Sequence, residues 1–319
     1  MTVTALQSVS VSESAPVERT RADLTFDRTV PRQLVHRASV TEVFLTDAAA
    51  LATDRFAVGA QWPRYHALYH PDESGRCDFM LLAETVRQAG IYVLHRFYEV
   101  PLGHHFVFKS LDLHIGDFTA LRVGGVPLGA VLDVAITATG KPRSGRFDAR
   151  LDVTIEVDGK PCVHSTVSVV VIPGRSYDAL RRRGRPAPDD SAAPSSPVAP
   201  SPAPVIAGRQ DANVLLRTAT DDDTSTWRLH VDPEHPGYFE HPSDHVPGMM
   251  LLEAFRQAGH LTAASDCVLA SLNAEFRSFG ELCRPIVIRS ATGPGGLLRL
   301  TATQGERTLA EADALFVKG

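Results

Sequence analysis

The sequence lacks the features that would tie it to a membrane, a metal or a nucleic acid. Only four cysteines occur among 319 residues (Cys77, Cys162, Cys267 and Cys283), and no two are spaced as CxxC. Neither a disulfide framework nor structural zinc is therefore expected, which suits a reducing cytoplasm. The formal net charge of -5 leaves no basic excess to bind nucleic acid. No apolar run approaches the ~20 residues needed to span a bilayer. The N-terminal stretch MTVTALQSVSVSESAPVERT has no basic region followed by an apolar one, so it does not read as a signal peptide. A soluble cytoplasmic protein without metal or cofactor is the expectation.

What is present is one helix written twice. MLLAETVRQAG (Met80–Gly90) returns as MMLLEAFRQAG (Met249–Gly259), and Glu84, Arg87, Gln88, Ala89 and Gly90 recur as Glu253, Arg256, Gln257, Ala258 and Gly259, each 169 residues later. Such self-similarity sets the architecture before composition does. Between the copies, residues 186–204 hold seven prolines in nineteen positions, preceded by the basic run Arg181–Arg185. This stretch cannot build a core and reads as an extended, solvated linker. The expected organisation is a mobile tail over 1–28, a first domain over 29–173, a linker over 174–209 and a second domain over 210–319. Each half has a strand-like segment (Leu34–Leu45; Val214–Leu216 and Trp227–Val231), then a poorly periodic approach, the helix, and four further strand-like segments. That order predicts an α+β fold. The first helix is apolar almost all round, which marks it as buried. A central helix wrapped by a curled antiparallel sheet is the hot-dog fold; two copies in one chain would pair as a hot-dog dimer does, with a homo-oligomer of such chains also open.

Glu84 and Arg87 share a helical face, as do Glu253 and Arg256. On an exposed helix such a pair contributes about 0.2–0.5 kcal/mol and has no functional meaning. In an apolar helix, each buried ion costs several kcal/mol before pairing recovers any of it, and retaining that cost twice points to a pocket or an interface. A His-Pro pair precedes each glutamate, His70-Pro71 and His241-Pro242, making His70 and His241 candidate acid/base partners or loop-fixing residues. Pro247, Gly248 and Met249 open the second helix, where free N–H groups can hold an oxyanion; the first copy has Asp78-Phe79 instead. Gln88 and Gln257 are further substrate-binding candidates beside the charged pairs. Cys77 precedes the first helix but has no assigned histidine partner, so a packed thiol is expected rather than an acyl-enzyme nucleophile. His104 and His105, adjacent on a strand, point to opposite faces and make no metal site.

The segment HPSDHVPGMMLLEAFRQAG (His241–Gly259) distantly resembles the hot-dog 3-hydroxyacyl-carrier-protein dehydratases, without their full Gly-His-Phe-Pro signature. Together with VHRASVTEVFLTD, WPRYHALYHPD and MLLAETVRQAG in the first half, it resembles much more closely the A-factor biosynthesis (AfsA) family of γ-butyrolactone synthases. That resemblance implies transfer of a 3-oxoacyl group from an acyl carrier protein to the hydroxyl of dihydroxyacetone phosphate. The ester then closes to a phosphorylated butenolide, a precursor of signalling molecules. It places Glu84, Glu253 and Arg256 at the family's functional positions, and the internal repeat adds Arg87. The expected mechanism uses Glu84 or Glu253 as general base, Arg256 or Arg87 on the phosphate or 3-oxo oxygen, and His and Glu from opposite halves, such as His70 with Glu253. A hot-dog dehydratase or thioesterase, or a non-catalytic acyl-binding module, is the alternative.

Overall fold

A computed structural model describes residues 19–140, 145–184, 209, 211–218 and 224–319. In the first half, strands β1 (Leu45–Ala52) and β2 (Arg55–Trp62) precede helix α1 (Phe79–Phe97). Strands β3 (His104–Ile115), β4 (Leu128–Gly140), β5 (Phe147–Val157) and β6 (Lys160–Pro173) follow it. After helix α2 (Gly174–Gly184) the second half repeats this order: β7 (Leu216–Thr218), β8 (Thr226–Leu229), α3 (Gly248–Thr262), β9 (Cys267–Phe276), β10 (Val287–Thr292), β11 (Leu298–Gln304) and β12 (Arg307–Lys318). All pair antiparallel in one sheet ordered β1-β2-β4-β5-β6-β3-β9-β12-β11-β10-β8-β7. Read from either edge, the halves have the same strand order, and they join edge to edge at β3 and β9. The similar segments Val107–Ile115 and Val268–Phe276 supply the explanation. Their equivalent residues Asp112 and Asn273 face each other in the register, so the pseudo-twofold axis passes through that pair. The tandem hot-dog read from the duplicated helix is the observed fold.

Strict alternation shapes the sheet. Phe147, Ala149, Leu151, Val153, Ile155 and Val157 of β5 are buried while the residues between them are not, the pattern of a sheet with one covered face. The covering layer is the two helices. Almost every residue of α1 is buried, including Glu84, Thr85 and Gln88. Gly90 allows the approach to β5, since a Cβ there would lie 2.9 Å from Leu151 Cδ2. Its counterpart Gly259 sits against the Phe316 ring. The repeated glutamines tie the helices to the first strands. Gln88 Nε2 donates to Glu42 O (2.7 Å) and its Oε1 accepts from Phe44 N (3.0 Å). Gln257 does the same with Asn213 O (2.9 Å) and Leu215 N (2.9 Å). Both glutamines act inside the core.

Each buried glutamate is met by two arginines and its glutamine. Glu84 accepts from Arg37 Nε (3.1 Å), Arg87 Nε (2.8 Å) and Gln88 Nε2 (2.7 Å). Glu253 accepts from Arg209 Nε (2.9 Å), Arg256 Nε (2.8 Å) and Gln257 Nε2 (2.8 Å). The sequence repeat showed one arginine of each cluster, and the chain entering each half brings the other. Burial pushes the Glu84 carboxyl up, but the Arg37 and Arg87 guanidiniums outweigh it and hold its pKa lowered to about 2. Arg209 and Arg256 depress Glu253 in the same way.

Three sequence expectations differ from what is found. Residues 19–28, read as tail, lie along the sheet: Arg19 donates to Asp47 (3.0 Å), and Phe26 packs over Gly59 and Gly129. The part of the tail before residue 19 lies outside the described residues. The segment Leu34–Leu45 is mostly short 3-10 turns, with the first strand beginning only at Leu45. The β1–β2 hairpin was missed because its alanine-rich strands carry little β signal. The stretch from 174, read as linker, begins as helix α2, whose Tyr177 and Arg181 are buried, and Arg209 at its far end is buried too. Residues 185–208, including the whole proline-rich run, lie outside the described residues. Among the described residues no helix is long and apolar enough to cross a membrane.

Gln88→Leu should therefore cost about 2–4 kcal/mol in urea unfolding, because it strands a buried N–H and a buried C=O. Acid should destabilise the protein in a defined window. The Glu84 carboxyl sits below its ordinary 4.5, so its contribution is complete above that value and is lost as pH falls toward 2. Unfolding free energy measured from pH 6 to pH 2 should fall through this window. Glu84→Gln should flatten the decline while lowering stability at neutral pH by about 3–5 kcal/mol, since Arg37 and Arg87 lose their counter-charge.

Candidate active site

The two helix N-termini are built differently. Asp78 caps α1 with its carboxylate, accepting from Met80 N (2.7 Å). The carboxylate also pairs with Arg209 Nη1 (2.8 Å), which is paired with Glu253 and donates to Leu68 O (2.6 Å). Asp78, Arg209 and Glu253 are all buried, so this half-site is filled by its own ions. At the matching end of α3 stand Pro247 and Gly248, with no side-chain cap. The first N–H groups of a helix have no intrahelical acceptor, and here the residues that carry them, Gly248 and Met249, line a cleft. Gly248 lets Phe276 approach, since a Cβ would lie 3.2 Å from its ring.

This cleft, of about 650 Å³, draws on both halves. Its apolar lining is Phe106, Phe108 and Leu111 of β3, Phe276 of the neighbouring β9, Phe279 and Leu251. Arg37, Arg87 and Tyr69 come from the first half; Tyr238, His241, His245 and Pro247–Met249 come from the second. Glu84 stands behind the two arginines and does not line the cleft. The expected crossing of halves is present, but the open cleft joins His241 to the Arg37–Arg87 pair anchored on Glu84. His70, buried, and Glu253, Arg256, Gln88 and Gln257 are not among the lining residues. His70 and His241 keep the same local contact, each Nδ1 lying 3.1 Å from the carbonyl of the following proline. Arg256, which donates from Nε and Nη2 to Glu253, is 4% exposed and poorly placed to reach a ligand. Cys77 is buried, its thiol pushed up to about 12 by burial, which suits packing and not acylation.

Several cleft residues were not singled out in the sequence. His245 Nδ1 lies 2.7 Å from Asp244 Oδ1, and that carboxylate also accepts from Tyr177 Oη (2.8 Å) and Arg181 Nε (2.8 Å). Arg181 is fixed in turn by Glu281 (3.0 Å). Burial lowers the His245 pKa despite its carboxylate neighbour, and the ring rests edge-on against Phe279. The orienting groups Tyr177 and Arg181 sit on α2, inside the stretch read as linker, which is why the constellation was hidden. Tyr69 and Tyr238 form a second set, and here a signal existed. Both end a His-x-x-Tyr motif, His66–Tyr69 and His235–Tyr238, repeated at the same 169-residue spacing. The Nδ1 atoms of His66 and His235 accept the backbone N–H groups of those tyrosines (3.2 and 3.3 Å).

Comparison with known proteins adds to this geometry. The model of the A-factor biosynthesis hotdog domain matches residues 19–173 and again 197–317. A 2-oxo-3-(phosphooxy)propyl 3-oxoalkanoate synthase of Streptomyces virginiae is 34% identical over 88% of this chain and 95% of its own length. A protein of the same name from Streptomyces coelicolor is 33% identical over 92% and 90%. Among solved structures, the 12:0-ACP thioesterase of Umbellularia californica shares the fold (TM-score 0.53, 12% identity, 85% of this chain and 100% of that one). So does an acyl-ACP thioesterase of Bacteroides thetaiotaomicron (TM-score 0.52, 10% identity, 83% and 98%). With two matched segments that together span most of its length, the chain belongs to the A-factor biosynthesis (AfsA) hotdog family.

Proposed function

We propose that the chain transfers a 3-oxoacyl group from an acyl-carrier thioester to the free hydroxyl of dihydroxyacetone phosphate. A 2-oxo-3-(phosphooxy)propyl 3-oxoalkanoate, the product named for the relatives, is the ester of those two components. The observation that carries the reading is one cleft combining an apolar wall, the Glu84-bound arginines Arg37 and Arg87, uncapped helix N–H groups and an oriented histidine. Each answers one part of that substrate pair. The apolar wall takes the acyl chain. Arg37 and Arg87, held rigid by Glu84, present guanidinium groups to the phosphate, for which their planar donor sets are suited.

The hydroxyl oxygen attacks the thioester carbonyl, and the negative charge that develops there is stabilised by N–H groups at Gly248 and Met249. The hydroxyl proton passes to His245 Nε2. Asp244 accepts the Nδ1–H, which fixes that tautomer and stabilises the imidazolium that forms. Collapse breaks the C–S bond, and the imidazolium returns the proton to the leaving thiolate. His241 also lines the cleft. Glu84 was expected to be a base, but a carboxylate held at about 2 by two arginines accepts protons poorly. Its role here is to position Arg37 and Arg87.

A hydrolase or dehydratase in the same cleft would use water or a β-hydroxyl and would have no use for an arginine pair. A binding module would not turn over at all. Incubating a 3-oxoacyl thioester with and without dihydroxyacetone phosphate separates the three by mass spectrometry. Ester formed only with the phosphate supports transfer, whereas free acid formed equally in both overturns it. Arg87→Ala should raise KM for the phosphate acceptor by about 10–100-fold, the loss of one charge-assisted contact. His245→Gln should lower kcat by about 10²–10⁴-fold and leave thermal stability nearly unchanged.

A further inference from the structure

Five buried side-chain polar atoms find no hydrogen-bond partner among the described residues: Thr46 Oγ1, His70 Nε2, His104 Nε2, Tyr238 Oη and Glu240 Oε2. Only Tyr238 of these lines the cleft. The residue is 8% exposed, so its hydroxyl is withdrawn from bulk water, at a cost of about 1–3 kcal/mol that phenylalanine would not incur. No partner among the described residues recovers that cost. The ring is fixed: Gly237 N and Tyr238 N both bond to His235 Nδ1 (3.1 and 3.3 Å), the two rings lie 4.6 Å apart, and His235 Nε2 lies 3.2 Å from Asn213 Oδ1. Gly237 in turn fits against Leu68, to which a Cβ would come within 2.8 Å. A rigid phenol with no partner among the described residues is organised for one that arrives with the ligand.

Burial keeps the phenol protonated, its pKa raised well above 10, so it is a neutral donor. Arg37 and Arg87 already offer charge to a phosphate. A neutral donor instead suits a neutral acceptor, and the substrate pair of the proposed reaction carries two ketones. Resting on that reaction, we propose that Tyr238 Oη donates a hydrogen bond to a substrate ketone oxygen, either the 3-oxo group of the acyl chain or the carbonyl of dihydroxyacetone phosphate, and so selects keto substrates. A site built to bond a polar group discriminates against the analogue lacking it far more strongly than an apolar pocket can.

The test is Tyr238→Phe in the full chain, with ester formation followed in two arms. One compares a 3-oxoacyl thioester with the saturated thioester of equal length. The other compares dihydroxyacetone phosphate with glycerol 3-phosphate. The variant should unfold at the same or a higher temperature than wild type, because the lost hydroxyl bonds nothing in the fold. Its preference for the keto substrate should fall about tenfold or more in one arm, and that arm identifies the ketone. Unchanged keto preference in both arms overturns the assignment of Tyr238 alone. A wild-type protein that forms no ester from any pair overturns the acyl-transfer reading, and the tyrosine assignment falls with it.

Discussion

A carboxylate inside an apolar helix is the constraint from which the rest follows. Neither Glu84 nor Glu253 can stay ionised in the core without counter-charge, and one guanidinium a turn away leaves donors and lone pairs unmatched. The fold therefore recruits a second arginine from the segment leading into each half, Arg37 and Arg209, and a glutamine from the next position of the helix. Those recruits fix the segments that carry them. Arg37 stands beside His36, whose left-handed backbone (φ 54°) turns the chain toward the cleft. Arg209 reaches across the pseudo-twofold to Leu68 O and Asp78, so the Glu253 cluster also fastens the halves to each other. The glutamines carry the constraint outward to the backbone of the first strands.

Duplication supplies two equal half-sites, and the residues just before each helix make them unequal. Where the first helix begins with Asp78, the second has Pro247. An aspartate there caps the helix and draws Arg209 into a closed ion cluster. A proline suits the start of a helix but cannot cap it with a side chain. The freed helix end opens on a cleft to which the other half contributes Arg37 and Arg87. Closing one site frees nothing in the other, yet it relieves the pair of keeping two open polar pockets, each of which would weaken the core they share. One equipped site and one filled one is the arrangement that a covalently joined pair can reach and a homodimer cannot.

The sequence made legible what depends on periodicity and repetition, and hid what depends on irregular chain. The helices, the tandem fold and the Glu-x-x-Arg-Gln pattern could be read because Leu82, Val86 and Val93 and their counterparts recur at helical spacing. The mismatch of Asp78 and Pro247 was visible from the same alignment and pointed to unequal sites. Which residues each half lends to the open site was not. Arg37 lies in a run of 3-10 turns and Arg209 beyond a proline-rich stretch, where no pattern marks a residue for burial. Tyr177 and Arg181 orient Asp244 and His245 from a helix masked by its own basic composition. The glutamates suggested acid/base chemistry by residue type alone; only the arginines around them show that their protons are already settled.

That last point bears on how a thioester-handling fold can favour an alcohol over water. Water needs no binding site and is always present, so an acyl-transferring cleft gains nothing from a stronger base alone, which would speed hydrolysis equally. What separates the two acceptors is a handle that water lacks. Holding one end of the alcohol converts its attack into an intramolecular event, for which effective concentrations of about 10⁵ M and above are attainable. A phosphate gripped by Arg37 and Arg87 is such a handle, provided the arginines do not move. Arginines tethered only at the surface would keep several rotamers and lose most of that advantage. Glu84, buried and bonded to both, removes the freedom they would otherwise have. On this reading, selectivity for the acceptor is set by a residue that never touches it, and the desolvation cost of the buried carboxylate is what keeps water a poor competitor.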